Sequence, residues 1–590
     1  MKITPTSLTI NQLFGSTNEQ YVVPTYQRRY SWNEKQIWEL IEDISLLENG
    51  DTHLLGSIVC LAGQHKAGLN ELELVDGQQR LTTVTILLEC IRQAFEQNGH
   101  SEEASEVAQL LSAKPLNGKA VKKVALDSID ADEFNDLVKQ ADGEHFKNWQ
   151  LSQAFEIVRN AAKELSIDDL RAFLYKLRNQ AIVIRLDVSQ AKDAFKLFET
   201  INNRGLRLSP TDIIKNFLLG NAARFSEDAL DAARKSWTEL IAHLDETSSD
   251  AFFRYYLMTL FKTRIEKSEV IARFKNLFVT QVAEAAELPE RHLYSDSTEA
   301  EDEEGDTAHK SDVAHPTTSK KVTFKNFLAR LVSSAKVYGE IVLGRTDDKR
   351  INRNLSNLRM IKAVQTYGFL THLRVGGCSD KDFRHILKLT ESFVLRRHVC
   401  RERANETEAL FARLCANDPK SSVQFTRDAY RELCPSDEKF KEEFAGAHFS
   451  ANLIDRARYC LEQIEIAEHG DHDELQVLGA DDVHIEHIMP QKIRTKRAKD
   501  EYGDWITYLG SNAETRHAKY IDRIGNLTLL AEPLNIGASN NPFARKKSAY
   551  KDSSILITRA LTKLPNFRFS DIDKRSIALA EMAVTLWPQP

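Results

Sequence analysis

The sequence predicts an α+β protein that is mostly helical, and three observations support this fold class. Runs with strand character occur in the first 190 residues, near residue 485 and within residues 523–535, while helical spacing dominates from about 225 to 465. The length of 590 residues exceeds the roughly 250–300 at which a single hydrophobic core stops growing. We therefore expect three parts, formed by residues 1–224, 225–440 and 441–590.

The first part of the chain alternates between strand and helix patterns. Residues 54–62 (LLGSIVCLA) and 180–188 (QAIVIRLDV) are apolar runs of strand length, and 71–75 (ELELV) alternates with the period of two that is typical of strands. Residues 34–47 and 78–95 place apolar side chains three or four positions apart, which predicts two amphipathic helices. The first part is therefore predicted to be an α/β domain.

A further helix start follows at residues 208–220 (LSPTDIIKNFLLG), after a break at 203–205. Ser209 is a suitable N-cap, Pro210 occupies the first helical position, and Asp212 lies in the first turn, where the helix dipole favours a carboxylate. We place the first boundary just after this helix.

The middle part is predicted to be helical, with one interruption. Residues 251–263 and 382–398 show the helical spacing of apolar side chains. Residues 295–321 are polar and rich in acids, with almost nothing to bury, which predicts a disordered loop.

Composition and charge narrow the class of protein. No apolar run approaches the roughly 18 residues that a membrane span needs, so we expect a cytoplasmic protein. The seven cysteines contain no C-x-x-C pair, which argues against a zinc ribbon. Residues 484–590 carry 17 Lys and Arg against 11 Asp and Glu, whereas the chain upstream is net −13. Phosphate contacts are therefore expected at the C-terminal end, where Lys492 and the basic residues of 494–499 lie, although a solvated surface explains that run equally well.

Three side chains able to bind a metal or move a proton lie within four residues in HIEHIMPQ (484–491). In an extended strand His484 and Glu486 share one face, while His487 points to the other. One side chain can thus hold a metal while its neighbour stays available as a base. Taken alone, this cluster is also compatible with a purely structural role.

A second set of polar residues follows the first at fixed positions. Residues 523–535 (RIGNLTLLAEPLN) read as a turn and a short strand flanked by Asn526 and Asn535, and 540–550 (NNPFARKKSAY) open a helix. Histidine and asparagine therefore recur here in a turn, strand and helix layout.

This layout resembles the ββα-metal fold of HNH endonucleases. The resemblance assigns Glu486 as a metal ligand and His487 as the general base that deprotonates water. It also implies that Asn526 holds the loop and orients His487. A carboxylate with a carbonyl oxygen suits Mg²⁺ or Mn²⁺.

The same resemblance implies further roles nearer the final helix. Asn535 is the expected second metal ligand, and Asn541 is a rival for that role, with a simple helix N-cap as its alternative. Lys547 or its neighbour Lys546 is expected to add positive charge to the catalytic site.

A second dense cluster lies near the N-terminus, in PTYQRRYSW (24–32) and VDGQQRLTT (75–83). The second motif places Gln-Arg at a helix start directly after a glycine turn, where free N–H groups favour a phosphate. Two explanations stay open: a nucleotide site, or a structural turn with Arg–Asp pairing. The candidate nucleotide-binding residues are Gln27, Arg28, Asp76, Gly77, Gln78, Gln79 and Arg80.

Together these motifs resemble the GmrSD-type restriction endonucleases, in which a ParB/sulfiredoxin-like N-terminal domain is joined through a helical region to an HNH domain. The resemblance implies a type IV enzyme that cuts foreign, modified double-stranded DNA in defence against phage. It also implies that a nucleoside triphosphate (ATP, GTP or another) binds at D-G-Q-Q-R, is often hydrolysed there, and regulates cutting. Residues expected to complete this site are Phe198, Asn202, Arg204, Gly205 and Asp212.

Two alternatives and several properties stay open from sequence. A toxin-like nuclease acting on host DNA or RNA, and a sensing protein with a degenerate nuclease, would share these motifs. The modification recognised, the preferred nucleotide and the oligomeric state, a homodimer included, have no signature in the chain.

Overall fold

A computed structural model describes the chain at residues 3–66, 68–115, 118–126, 130–139, 147–202, 209–287, 321–450, 453–470, 482–493, 505–510 and 512–590. The acidic stretch 295–321 and the basic run 494–499 lie outside these residues, except for Lys321. Two compact units are present: Met1–Arg254 with Glu266–Lys336, and Tyr255–Ile265 with Val337–Pro590. The functional boundaries expected near 224 and 440 stay predictions.

The first unit is built on a six-stranded mixed sheet with the strand order β1-β8-β3-β4-β2-β7. Strands β3·β8, β2·β4 and β2·β7 pair in parallel, whereas β1·β8 and β3·β4 are antiparallel. Two further short strands, β5 and β6, pair separately. The strands are β1 Ile3–Thr9, β2 Glu19–Val23, β3 His53–Lys66, β4 Leu69–Asp76, β5 Ser112–Ala113, β6 Val121–Lys122, β7 Val124–Leu126 and β8 Ala181–Val188. The three strands expected from sequence are confirmed as β3, β4 and β8.

Helices surround this sheet, and the most buried of them is Gln78–Gln97. Its apolar positions from Leu81 to Phe95 lie in the core, as the spacing predicts. The helices of this unit are Ile10–Gly15, Glu34–Ser45, Gln78–Gln97, Ser101–Leu110, Ala131–Val138, Trp149–Glu164, Ile167–Asn179, Ala191–Asn202, Pro210–Phe225, Glu227–His243 and Val270–Gln281, with 3₁₀ turns Lys267–Glu269 and Glu284–Glu287. Helices Ser249–Phe261 and Phe324–Leu343 span the divisions between units.

In its described residues, the second unit is helical apart from one two-stranded antiparallel sheet. Strand β9 is Val483–His487 and β10 is Leu527–Ala531, with His487 opposite Leu527 and Glu486 opposite Thr528. The helices are Lys349–Met360, Tyr367–Val375, Asp380–Val399, Ala404–Leu414, Ser422–Leu433, Asp437–Gly446, Ile454–Glu468, Trp505–Leu509, Ala513–Tyr520, Glu532–Ala538, Phe543–Asp552, Leu556–Arg559 and Phe569–Leu586, with 3₁₀ turns Val364–Thr366, Pro419–Ser421, Ile524–Asn526 and Ala560–Lys563.

Helical spacing in the middle of the chain is confirmed by this architecture, and the fold class is α+β with helix predominant. Within the described ranges no helix has both the length and the apolar character needed to cross a bilayer. All seven cysteines are free thiols, and all but the partly exposed Cys434 are buried.

Candidate functional site

Strand β9 presents its polar side chains on two faces, as the alternation of a strand requires. On one face, His484 Nδ1 lies 3.5 Å from Asn535 Nδ2, and Glu486 contacts helix Phe543–Asp552. On the other face, His487 Nε2 lies 3.4 Å from Asp522 Oδ1. The predicted separation of His487 from Glu486 is therefore present in the structure.

Glu486 lies in a buried ion pair. Its Oε1 accepts hydrogen bonds from Lys546 Nζ at 2.6 Å and from Tyr550 Oη at 3.0 Å, and its side chain is only 8% exposed. Burial raises the pKa of the Glu486 carboxyl above its usual value, and Lys546 and Tyr550 oppose that rise. The carboxylate that sequence assigns to a metal is thus already engaged by an ammonium and a hydroxyl, so it is not an open ligand in this arrangement.

The two adjacent lysines of the final helix have different surroundings. Lys546 Nζ donates to Glu486 and also to the His487 carbonyl oxygen at 2.8 Å, which ties the helix to the strand. Lys547 Nζ donates to the Leu564 carbonyl oxygen at 2.7 Å. The structure therefore brings Lys546, rather than Lys547, to the strand, because neighbouring helical residues are about 100° apart around the axis.

Asn526 is fully buried and bonds to the backbone on two sides. Its Oδ1 accepts from Met489 N at 2.8 Å, and its Nδ2 donates to Met489 O and Ile521 O, both at 2.9 Å. Its carbonyl oxygen also accepts from Ile488 N. Asn526 thus holds the turn that follows β9, as expected, but it touches the backbone beside His487 and not its imidazole.

His487 combines partial burial with a nearby acid. Burial lowers the pKa of its imidazole, while Asp522 raises it. The side chain keeps 12% of its surface exposed. A histidine whose pKa is held down by burial is neutral near pH 7, and a neutral imidazole can accept a proton.

The two candidate asparagine ligands differ in placement. Asn535, on helix Glu532–Ala538, is the one beside His484. Asn541 donates its Nδ2 to the Gly537 carbonyl oxygen at 3.1 Å, across the turn between two helices. Only Asn535 is therefore brought to the β9 face that carries Glu486. Within the described residues no three His, Cys, Asp or Glu side chains converge as a metal cluster.

In the N-terminal cluster, several motif side chains bond to backbone. Gln27 is buried, and its Nε2 donates to the Leu74 and Val75 carbonyl oxygens, each at 3.0 Å. Gln79 accepts from Ser31 N at 2.8 Å, and Arg80 Nη1 donates to the Ser57 carbonyl oxygen. These three side chains fasten strand β4 and the start of helix Gln78–Gln97 to the surrounding backbone.

Gly77 permits the turn between β4 and that helix. Its φ is +91°, a value that residues with a side chain rarely adopt, and an added Cβ would collide with Ile58. Asp76 ends the strand, and the helix begins at Gln78 without a side-chain cap. Its first N–H groups are thus not capped by a side chain.

Arg28 and Gln78 differ from these residues in their surroundings. Arg28 has 49% of its side chain exposed and lies 3.7 Å from Asp212. Gln78 Oε1 is buried without a hydrogen-bond partner in the described part of the chain. Arg28 and Gln78 line a small cleft whose enclosed space is about the size of one water molecule. An orphaned buried acceptor is costly, so this cleft is suited to a donor from a ligand or water.

Two residues near these sites were not expected from sequence. Asp522 contacts His487, and Lys215 donates its Nζ to Gln27 Oε1 at 2.6 Å and lies 3.8 Å from Asp212. Burial lowers the pKa of Lys215. The one sequence signal for Lys215 is its position three residues after Asp212, and Asp522 has no such signal.

Of the residues expected to complete the N-terminal nucleotide site, Phe198 is buried, while Arg204, Gly205 and the Asn202 side chain lie outside the described residues.

Comparison with protein families finds two matches. The N-terminal domain of the GmrSD restriction endonuclease family matches residues 10–219, and the C-terminal domain of GmrSD restriction endonucleases matches residues 434–582. A search of curated proteins finds no match. The two domain matches occur in the expected order and together cover most of the chain. The chain therefore belongs to the GmrSD restriction endonuclease family.

Proposed function

We propose that this protein is a type IV endonuclease that cuts modified foreign double-stranded DNA by metal-dependent hydrolysis, under the control of a nucleoside triphosphate bound near its N-terminus. Family membership supports restriction as the activity. The observation that carries the chemical part is His487, a partly exposed imidazole whose pKa is lowered by burial, on a strand fixed by Asn526 and Lys546.

The role of His487 is proton transfer. It takes a proton from a water molecule, and the resulting hydroxide oxygen forms a bond to phosphorus. The bond from phosphorus to the leaving oxygen breaks, and that oxygen takes a proton from solvent. His487 then returns its proton to solvent. Asn526 and Lys546 keep the strand backbone still during this sequence, because both bond to carbonyl or N–H groups within two residues of His487.

The donors available for a metal are those on the opposite face of β9. Asn535 would supply its amide oxygen and His484 an imidazole nitrogen, and the Asn535 amide nitrogen Nδ2 lies 3.5 Å from His484 Nδ1. We assign these two side chains to a divalent ion because they lie on the same face of β9, whereas Glu486 is held by Lys546 and Tyr550. Because one donor is an imidazole, this set favours Mn²⁺ over Mg²⁺. When bound, the ion supplies positive charge to the phosphate and the leaving oxygen.

Nucleotide binding is assigned to the cleft beside Gln78. Arg28 offers an exposed guanidinium, Gln78 Oε1 an unmatched acceptor, and the uncapped helix start a set of N–H groups for phosphate. The enclosed space in this cleft is about the size of one water molecule, so a nucleotide would have to widen it considerably. Gln79 also lines this cleft, and Gln27, Gln79 and Arg80 hold the neighbouring backbone through their hydrogen bonds.

The test is digestion of matched duplexes that differ only in modification. Duplexes with cytosine, 5-methylcytosine, hydroxymethylcytosine, glucosylated hydroxymethylcytosine or a phosphorothioate linkage are incubated with the full chain, with and without Mn²⁺ and with ATP or GTP. The proposal expects cutting of at least one modified duplex, dependent on metal and sparing the unmodified one. Equal cutting of every duplex, or of RNA in parallel digests, would favour a toxin-like nuclease. No cutting at all would favour a sensor with a degenerate nuclease.

A further inference from the structure

Asp522 faces the imidazole of the proposed base. Its Oδ1 lies 3.4 Å from His487 Nε2, and the two side chains are 24% and 12% exposed. Within the described ranges, the Asp522 carboxylate has no other hydrogen-bond or ion-pair partner. A carboxylate kept for structure alone is usually paired with a cation or capped by backbone N–H groups. The neighbouring Asp573 is such a case, because it pairs with Arg523 and accepts from Tyr520 Oη.

The backbone on which Asp522 lies is held in place. Its carbonyl oxygen accepts from Phe449 N at 2.7 Å, and the preceding carbonyl, that of Ile521, accepts from Asn526 Nδ2. Asn526 also bonds Met489, two residues after His487. One buried amide therefore clamps the segment that carries the acid to the segment that carries the histidine. This clamp sets the separation between the two side chains.

We propose that Asp522 is the positioning residue of His487. Its carboxylate accepts a hydrogen bond from Nε2–H and fixes the ring, which leaves Nδ1 with the lone pair that takes the proton from water. This inference rests on the proposed function, because it assigns a partner to its base. A carboxylate at Nε2 also stabilises the imidazolium that exists after proton transfer. The distance is slightly long for a hydrogen bond, as is common in sites without substrate.

The charged groups around His487 agree with the roles proposed for Asp522 and His487. Lys546 and His517 are the other charged or titratable groups with an electrostatic effect on His487, and both disfavour its protonated form. His517 Nε2 is itself engaged by the Pro490 carbonyl oxygen at 2.8 Å. Asp522 is the carboxylate in contact with the imidazole, so its removal should slow proton transfer rather than weaken DNA binding.

The experiment compares full-length wild type with His487→Ala, Asp522→Ala, Asp522→Asn, Asp522→Glu and the control Asp573→Ala. The substrate is whichever duplex of the panel wild type cuts, and single-turnover rate, DNA affinity, Mn²⁺ dependence and melting temperature are measured. We expect Asp522→Ala and Asp522→Asn to lower the single-turnover rate about 10- to 100-fold, by analogy with groups that orient a functional histidine. DNA affinity and the Mn²⁺ concentration for half-maximal rate should stay unchanged. Asp522→Glu should restore part of the rate, and Asp573→Ala should cut normally.

The outcomes distinguish a failure of the proposed role of Asp522 from a failure of the proposed nuclease function. Cutting by His487→Ala at the wild-type rate, or no cutting of any duplex by wild type, contradicts the proposed function itself. Loss of cutting in His487→Ala together with normal rates in Asp522→Ala and Asp522→Asn overturns only the role of Asp522. Rescue of the Asp522 variants by high Mn²⁺ also overturns it, since that result makes Asp522 a metal ligand. If Asp522→Ala has a lower melting temperature than wild type, the cleavage rate of the nearly isosteric Asp522→Asn variant decides whether Asp522 has this role.

Discussion

The two motif clusters use their polar residues in different ways. Near the N-terminus, Gln27 and Gln79 bond to backbone, while Arg28 and Gln78 line a cleft at a helix start. The Gln78 Oε1 atom is buried and has no hydrogen-bond partner among the described residues. Near the C-terminus, a titratable group, His487, lies beside an acid. The first arrangement offers fixed donors and an acceptor, which suits binding. The second offers a group able to change its protonation state, which suits catalysis.

The largest effect is expected from removing the titratable group at the C-terminal cluster. His487→Ala should lower the cleavage rate about 10²- to 10⁴-fold, the usual contribution of a general base. Nucleotide binding should not change, because the N-terminal cluster belongs to the other unit, and the melting temperature is measured to verify that the variant is folded. Single-turnover cleavage of a modified duplex measures the effect.

The matched control is His385→Ala, which removes an exposed histidine of the same unit. Equal cleavage rates for His487→Ala and His385→Ala would show that His487 is not the general base. The C-terminal cluster would then have no titratable group assigned to catalysis.

The next effect concerns stability of the same cluster. Lys546→Met should leave the Glu486 carboxylate uncompensated in a buried site, at a cost of about 3–5 kcal/mol in the free energy of unfolding. The double variant Glu486→Gln with Lys546→Met should recover part of that loss. Chemical denaturation monitored by circular dichroism provides the values.

Lys547→Met is the comparison for that variant, because its ammonium binds a carbonyl oxygen instead of a carboxylate. Similar losses for Lys546→Met and Lys547→Met would mean that Glu486 is not committed to the ion pair and is available to a metal.

At the N-terminal cluster the turn is the most sensitive point. Gly77→Ala should destabilise the first unit by about 1–3 kcal/mol, because a left-handed conformation is strained for alanine and the new Cβ meets Ile58. Nucleotide affinity should fall as well, since the helix start shifts. Gly99→Ala, also at positive φ but with open space around it, is the control. Equal destabilisation by both changes would show that contact with Ile58 is unimportant.

The smallest predicted effect separates the open arginine from the supporting one. Arg28→Ala should weaken nucleotide binding about tenfold without changing the melting temperature, as expected for loss of a half-exposed charged contact. Arg80→Ala should weaken binding and lower the melting temperature together, because Arg80 holds the Ser57 backbone. Calorimetry on the full chain, with the exposed Lys35→Ala as control, distinguishes them. A lower melting temperature in Arg28→Ala with unchanged nucleotide affinity would show that Arg28 supports the fold and does not contact the nucleotide.

Sequence periodicity predicts the interior of the fold better than its edges. Strands β3, β4 and β8 and the helix Gln78–Gln97 are predicted because long apolar runs have a clear period. Strands β1, β2 and β7 are missed, since they are short or carry many polar residues and are recognisable only through their partners.

The same limit applies to the candidate site. Local alternation predicts that His487 and Glu486 face opposite ways. The pairing of Glu486 with Lys546 joins residues sixty positions apart, and the choice of Lys546 over Lys547 depends on helix rotation. Asp522 reaches His487 because Asn526 clamps two segments, and no spacing rule encodes that contact.

The central claim is that one cluster binds and controls while the other cuts, and nucleotide affinity tests it directly. Calorimetry with the full-length His487→Ala protein, which keeps DNA intact, gives the nucleotide dissociation constant with no DNA, with unmodified duplex and with modified duplex. Modified DNA should change that constant, and nucleotide should change DNA affinity by the same factor, because coupling between two binding sites is reciprocal. Three equal constants, together with nucleotide-independent cleavage by wild type, would contradict the account.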